Sequence, residues 1–317
     1  MIVVLTGGTG GAKLVDGLYR VVGDEALTCI VNTGDDFRWW GLHVSPDIDS
    51  VVYALAGMLS PERGWGVRDD TFFALETMRK LGEPDWFQVG DRDLAIHLVR
   101  TKLLKEGRTL SAATATIAEK LGVEARILPM SDSAVETRVE TEAGELNFQE
   151  YFVKRRHRDP VTGVRLEGAA EARPAPGVVE AIRSAQAIVL APSNPITSIG
   201  PILAVPGIRA ALRETAAGVI AVSPMVGDRA FSGPAADLMA MQGLPVSIAG
   251  VAKAYEDFLD VLIVDSCDAD AARGLERQGI EVHCENILLR TNEDKIRLAR
   301  VVLAQISRLD GEEAKAS

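Results

Sequence analysis

The chain has 317 residues, 47% hydrophobic and 25% charged, the composition of a folded globular protein rather than a disordered one. Its 45 acidic and 34 basic side chains give a net charge of −11, which argues against a sequence-independent nucleic-acid binder, since such proteins displace counterions with cationic surface. No apolar run approaches the ~18 residues needed to span a bilayer. Cys29, Cys267 and Cys284 stand at unrelated spacings that suit neither a disulfide framework nor a zinc ribbon. His43, His97, His157 and His283 form no metal-ligand pair at helical spacing. The expectation is a cytoplasmic chain without nucleic-acid or membrane partners.

Residues 2–6 are a short aliphatic run ended by glycines, and a helical pattern follows from Lys13. A second apolar run, 27–31, ends in Asn32-Thr33-Gly34-Asp35-Asp36. Strand, glycine turn, helix and strand make a βαβ opening, and near-continuous apolar strands suit a parallel sheet covered on both faces. Residues 69–121 read as three helices broken near Gly82 and Gly107, and 135–153 alternate around Ala143-Gly144 as a hairpin. Residues 154–177, charged and rich in Gly and Pro, read as a loop. Buried-strand runs return at 187–191, 218–222 and 261–264, followed by an amphipathic helix at 293–308 and a polar tail. The expected fold is α/β, a doubly wound, mainly parallel Rossmann-like sheet. Its nucleotide-binding core would comprise 1–61 and 177–309, with a mixed helical and β-hairpin insertion at 62–176 and a flexible tail at 310–317. The insertion's amphipathic helices are consistent with a homodimer.

Four places carry chemistry. Gly7-Gly8-Thr9-Gly10-Gly11-Ala12-Lys13 opens a helix directly after a strand, where glycines bring backbone N–H groups close to an anion. The run is not a strict G-x-G-x-x-G, since Lys13 takes the third glycine position, and it is not a Walker A loop. Asp35, Asp36, Asp47 and Asp49 fall within fifteen residues at the carboxyl edge of the sheet, where α/β proteins bind ligands. Hard carboxylate oxygens beside a phosphate site suit Mg²⁺. Helix capping by Asp47 or Asp49, and turn formation by Asp35-Asp36, is the simpler reading of part of this cluster. In Gly90-Asp91-Arg92-Asp93, Asp91 or Asp93 reads first as a helix cap, and His97 as a hydrogen-bond partner of Asp93 at i+4. Pro192-Ser193-Asn194-Pro195 with Ser198, and the loop 223–234 with Ser232 and Gly233, are donor-rich loops at consecutive strand ends, like the walls of a nucleotide pocket. Trp39, Trp40, Trp65 and Trp86 could flank a flat heterocycle or pack in the core.

Together the glycine run, the Asn32–Asp36 loop, Ser45-Pro46-Asp47-Ile48-Asp49, Gly90–Asp93, Leu128-Pro129-Met130-Ser131-Asp132 and Pro192–Pro201 resemble the 2-phospho-L-lactate transferase family of deazaflavin biosynthesis, over about residues 3–305. The resemblance implies an enzyme of coenzyme F420 assembly. Such an enzyme moves a 2-phospho-L-lactyl or phosphoenolpyruvyl group from a GDP-linked donor to the hydroxyl of the deazaflavin Fo, with Mg²⁺, releasing GMP. It implies Fo contacts at Asp49, Gln88, Asp91 and Arg92. It also implies nucleotide and phosphate contacts at Gly8, Thr9, Gly10, Gly11, Lys13, Ser193, Asn194, Pro195, Ser198, Ser232 and Gly233. An alcohol attacking a diphosphate needs positioning and charge neutralisation more than a covalent nucleophile. On that basis Asp49, the candidate catalytic residue, is expected to hold Mg²⁺ with Asp35 or Asp36. Two other readings compete: an NAD(P)-dependent oxidoreductase, motivated by the glycine turn, and a non-catalytic nucleotide-sugar-binding regulator of the same fold.

Overall fold

Runs such as Ile2–Leu5 and Ile188–Leu190 can be buried on both faces only inside a covered parallel sheet, and the computed structural model places them there. It describes residues 1–23, 26–230, 233–277 and 279–316, without the side chains of 310 and 312–316. The central sheet has seven strands: β1 (Ile2–Thr6), β2 (Leu27–Val31), β3 (Arg126–Pro129), β4 (Ala187–Leu190), β5 (Gly218–Val222), β6 (Val261–Asp265) and β7 (Glu281–Glu285). Their order is β7-β6-β5-β4-β1-β2-β3, and every pairing is parallel. This is the expected doubly wound α/β sheet. The winding reverses between β1 and β4, so the loops leaving those two strands diverge and open a crevice at their carboxyl ends.

Strand alternation sorts the core into two layers. Val4, Cys29, Val31 and Val189 pack toward α1 (Gly8–Val22), α2 (Pro46–Leu55) and the C-terminal helix Asn292–Ala316. Val3, Leu5, Ile30 and Ile188 face the opposite layer, formed by helices at 178–183, 199–204, 208–214 and 248–254. The C-terminal helix crosses α1 so closely that a Cβ on Gly17 would run into the backbone of Lys295. Lys295 ties the crossing with a 2.8 Å ion pair to buried Asp16.

The three helices of the middle region are α3 (Phe73–Lys80), α4 (Asp91–Lys105) and α5 (Leu110–Lys120). The hairpin pairs 136–141 with 144–147. Several expectations need correction. The segment 154–177 is not all loop, because 161–167 is a third antiparallel strand on the other side of 136–141. Tyr151 belongs not to a strand but to a π-helical turn, Glu150–Lys154, and is buried with Val139 and Phe148. The span 62–176 contains β3, a strand of the main sheet, so the material outside the sheet lies in two parts on either side of it. The tail expected to fray continues the last helix to Ala316; Ser317 lies outside the described residues. Among the described residues no helix is long and apolar enough to cross a membrane.

Candidate active site

The glycine run forms the first turn of α1, with Gly7 as its extended N-cap. Gly8 adopts φ +68, a conformation that side chains rarely take. A Cβ on Gly11 would collide with Thr6 Oγ1 and lie 2.6 Å from Ser193 Oγ. Ser193 in turn donates to the Gly7 carbonyl at 2.6 Å, stitching the loop after β4 to the turn after β1. Where these loops meet lies a cavity of about 150 Å³, lined by Gly7, Thr9, Gly10, Lys13, Pro192, Ser193, Pro224 and Leu289. Helix N-termini favour anions; here the Gly7 N–H donates to Ser193 Oγ at 3.3 Å and the Gly8 N–H to the Asp47 carboxylate. Burial, and then repulsion from Lys295, lowers the Lys13 ammonium pKa, a bias that an anion in the crevice would offset.

Thr9 also lines a second, larger cavity of about 450 Å³. One wall is the sheet rim and α2, with Asp35, Asp47, Asp49 and Tyr53; a second carries Trp65, Trp86, Phe87, Gln88, Asp93 and His97. The third comes from the π-helical turn and its flanks, with Phe148, Gln149, Phe152 and Arg156. Trp86 and Phe87 are braced from behind by Phe37 and Trp39, with Trp39 edge-on to Trp86 at 4.7 Å. The tryptophans thus divide: Trp39 packs in this buried cluster, and Trp65 and Trp86 face the cavity.

The four aspartates of the rim do different things. Asp36 is turned away, accepting from Ser45 Oγ at 2.7 Å and lying 3.0 Å from His43 Nε2. Asp35 and Asp47 face the cavity. Burial, then the charge of Asp47, pushes the Asp35 carboxyl well above the usual carboxylate range, and its Oδ1 is buried without a hydrogen-bond partner. Burial likewise raises Asp47 to about 6, although Asn32 Nδ2 donates to it at 2.9 Å. A buried, mutually repelling, partly unsatisfied carboxylate pair is a donor set that a hard divalent cation fits. Capping explains one member of the group: the Asp47 carboxylate accepts from the Gly8 N–H at the start of α1, whereas α2 itself begins at Ser45 and Asn32, not an aspartate, closes the turn after β2 by accepting from Gly34 N–H.

Asp49 is held by a residue that sequence reasoning did not single out. Arg100, fully buried on α4, donates one guanidinium nitrogen to Asp49 Oδ2 at 3.1 Å and the other to Oδ1. His97 stands 3.6 Å from Asp49 and 3.3 Å from Asp93, and Tyr53 donates to Asp93 at 2.5 Å. Burial opposes the charge on Asp93, but the bond and charge of His97 outweigh it and hold the carboxyl below its usual range. Asp49, Asp93 and His97 lie close enough to one another to share a metal, a cluster that the scattered histidines had argued against. The Arg100 charge already lies on Asp49, which makes a second cation there costly.

Asp91 and Arg92 do not line either cavity. Asp91 accepts from Thr71 Oγ1 and from the N–H groups of Phe73 and Ala74, capping α3, while Asp70 accepts from the N–H groups of Arg92 and Asp93, capping α4. Arg92 lies at the surface, donating to the Arg68 carbonyl at 3.3 Å. Asn194 accepts from Ile196 N–H at 2.9 Å within its own loop, where Pro195 follows it. Ser198 is buried beside Gly7 and Gly8. Gly233 abuts Phe152, and Ser232 lies outside the described residues.

Fold and site define a doubly wound α/β protein with a glycine-lined crevice at its switch point, opening beside an aromatic, carboxylate-walled cavity. Residues 2–302 match the family described as 2-phospho-L-lactate transferase CofD, and the chain belongs to that family. It is 44% identical over 306 residues to the 2-phospho-L-lactate transferase of Methanothermobacter thermautotrophicus, covering 96% of this chain and 98% of the relative. It is equally 44% identical, over 308 residues, to the phosphoenolpyruvate transferase of Streptomyces griseus, covering 95% and 97%. A solved UPF0052-family structure from Bacillus halodurans shares the fold with a TM-score of 0.63 at 18% identity, over 95% of this chain and 98% of that one.

Proposed function

We propose that this transferase moves a 2-phospho-L-lactyl or phosphoenolpyruvyl group from a GDP-linked donor to the side-chain hydroxyl of the deazaflavin Fo, releasing GMP. The observation that carries the reading is the meeting of two unlike cavities at Thr9. The larger has flat aromatic walls and the volume for a tricyclic heterocycle. The smaller sits at a helix N-terminus, where a diphosphate finds backbone donors. A hydroxyl held in one and a phosphorus held in the other come together at the rim.

In this reading Asp49, pinned by Arg100, accepts a hydrogen bond from the Fo hydroxyl, aims it at the donor phosphorus and receives its proton as the P–O bond forms. The bond to GMP breaks, and the GMP phosphate leaves with the electron pair. Asp35 and Asp47 are the residues best placed to hold Mg²⁺, because Asp36 does not line the cavity and Asp49 is held by Arg100. Bound there, the cation would neutralise diphosphate charge. Incubation with Fo, Mg²⁺ and each donor, read by mass spectrometry, tests the reading. A coupled product with stoichiometric GMP is expected; intact Fo with either donor would contradict it. Fo binding, read as a change in deazaflavin fluorescence, separates this reading from a nucleotide-sugar regulator, and NAD(P)H titration separates it from an oxidoreductase.

A further inference from the structure

The walls of the larger cavity carry four carboxylates, Asp35, Asp47, Asp49 and Asp93, and among the described residues a single lysine or arginine, Arg156. Arg156 sits in the run Lys154-Arg155-Arg156-His157-Arg158, a cationic stretch in a chain of net charge −11. Its neighbours are engaged: Lys154 pairs with Glu150 at 3.3 Å and lies over the Trp86 ring, and Arg155 pairs with Asp159 at 3.7 Å. Arg156 makes no ion pair or side-chain hydrogen bond among the described residues. Its backbone is also unusual, with φ +54 at Arg156 and +43 at His157, neither a glycine. The turn is fastened on both sides. Arg155 N–H donates to Glu150 O, His157 N–H donates to Tyr151 O, and the His157 ring stacks on Phe152 at 5.7 Å. A costly conformation held this firmly at a cavity wall directs a side chain rather than merely linking two strands.

We infer that Arg156 binds the carboxylate of the group being transferred. This rests on the reading above, in which that group is a 2-phospho acid and so carries a carboxylate beyond its phosphate. The planar guanidinium fork matches a carboxylate with two parallel hydrogen bonds, which a lysine cannot reproduce. The position suits the task. Phe152, on the same turn, abuts Gly233 of the strand-end loop read as the donor side, while Arg156 itself faces the acceptor cavity. The carboxylate-bearing end of the donor is thereby held over the hydroxyl that attacks, away from the guanosine.

The test compares ligands with and without the carboxylate. Steady-state KM for the donor is measured in Arg156→Gln, Arg156→Lys and Arg158→Gln, alongside Kd for GDP and, by fluorescence, for Fo. Arg156→Gln is expected to raise donor KM by roughly 10- to 100-fold, the scale of a charge-assisted hydrogen bond, with GDP and Fo affinities within twofold of the parent. Arg156→Lys should recover only part of the loss, and Arg158→Gln should match the parent. An unchanged donor KM in Arg156→Gln, or a loss shared equally by GDP or by Arg158→Gln, overturns the assignment. Failure of the unsubstituted protein to bind Fo would instead overturn the reading on which it rests.

Discussion

Arg100 and Asp49 form a fully buried fork: the guanidinium of α4 closes both nitrogens on a carboxylate of α2 that faces the large cavity. Two charges taken out of water are costly unless they satisfy each other, so removing one partner strands the other. Arg100→Met is therefore expected to lower unfolding free energy by about 3–5 kcal/mol. Asp49→Asn in the same background should return part of it. Urea denaturation of the two variants checks this. Equal stability of Arg100→Met and the parent would mean that the pair does not hold α4 to α2.

Asp35 and Asp47 set a pH dependence. Both carboxyls have folded-state pKa values above their unfolded ones, Asp47 at about 6. The folded state therefore binds more protons, and stability falls as pH rises from about 4 through 6. Asp93, shifted down, acts oppositely, its contribution being present above about pH 4 and lost on acidification. Metal-free protein should melt at a lower temperature at pH 7.5 than at pH 5, and Mg²⁺ should raise Tm most at pH 7.5. Asp47→Asn should flatten both effects. A Tm independent of Mg²⁺ at pH 7.5 would remove the case for a cation on this pair.

Asp70 and Asp91 cap each other's helices, so Asp91→Ala should cost about 1 kcal/mol of stability and leave KM for Fo within twofold of the parent. Steady-state kinetics with a parallel denaturation curve separate the roles. A tenfold rise in KM for Fo at unchanged stability would make Asp91 a substrate contact.

Gly11→Ala places a methyl against Thr6 Oγ1 and Ser193 Oγ, where two loops are stitched together. The expected cost is about 1–3 kcal/mol, with GDP affinity reduced at least tenfold and Fo affinity retained. Calorimetric titration with each ligand reads the split.

Most of the main sheet was legible because five of its strands are near-continuous apolar runs, which a two-sided core accommodates. The exceptions have physical causes. Arg126–Pro129 is four residues with an arginine and a proline, and Glu281–Glu285 is an edge strand whose polar residues reach solvent. Val161–Glu167 alternates as a strand should but sits amid Gly, Pro and charges that argue for a loop. At the site, the glycine turn and the acidic loop were visible as motifs. Arg100 was not. With Asp93 and His97 it makes an i, i+4, i+7 polar stripe on α4, a pattern that ordinarily marks the solvent face. Only the tertiary packing of α4 shows that this face is buried against Asp49.

The central claim is that two substrates occupy two cavities that meet at Thr9. A crystal structure of the protein with Fo, GDP and Mg²⁺ tests it most directly. Fo is predicted between Trp65, Trp86 and Phe152 with its side chain toward Asp49, GDP phosphates on the Gly8–Gly11 turn, and the cation on Asp35 and Asp47. GDP in the aromatic cavity, or Fo bound outside it, would contradict the account.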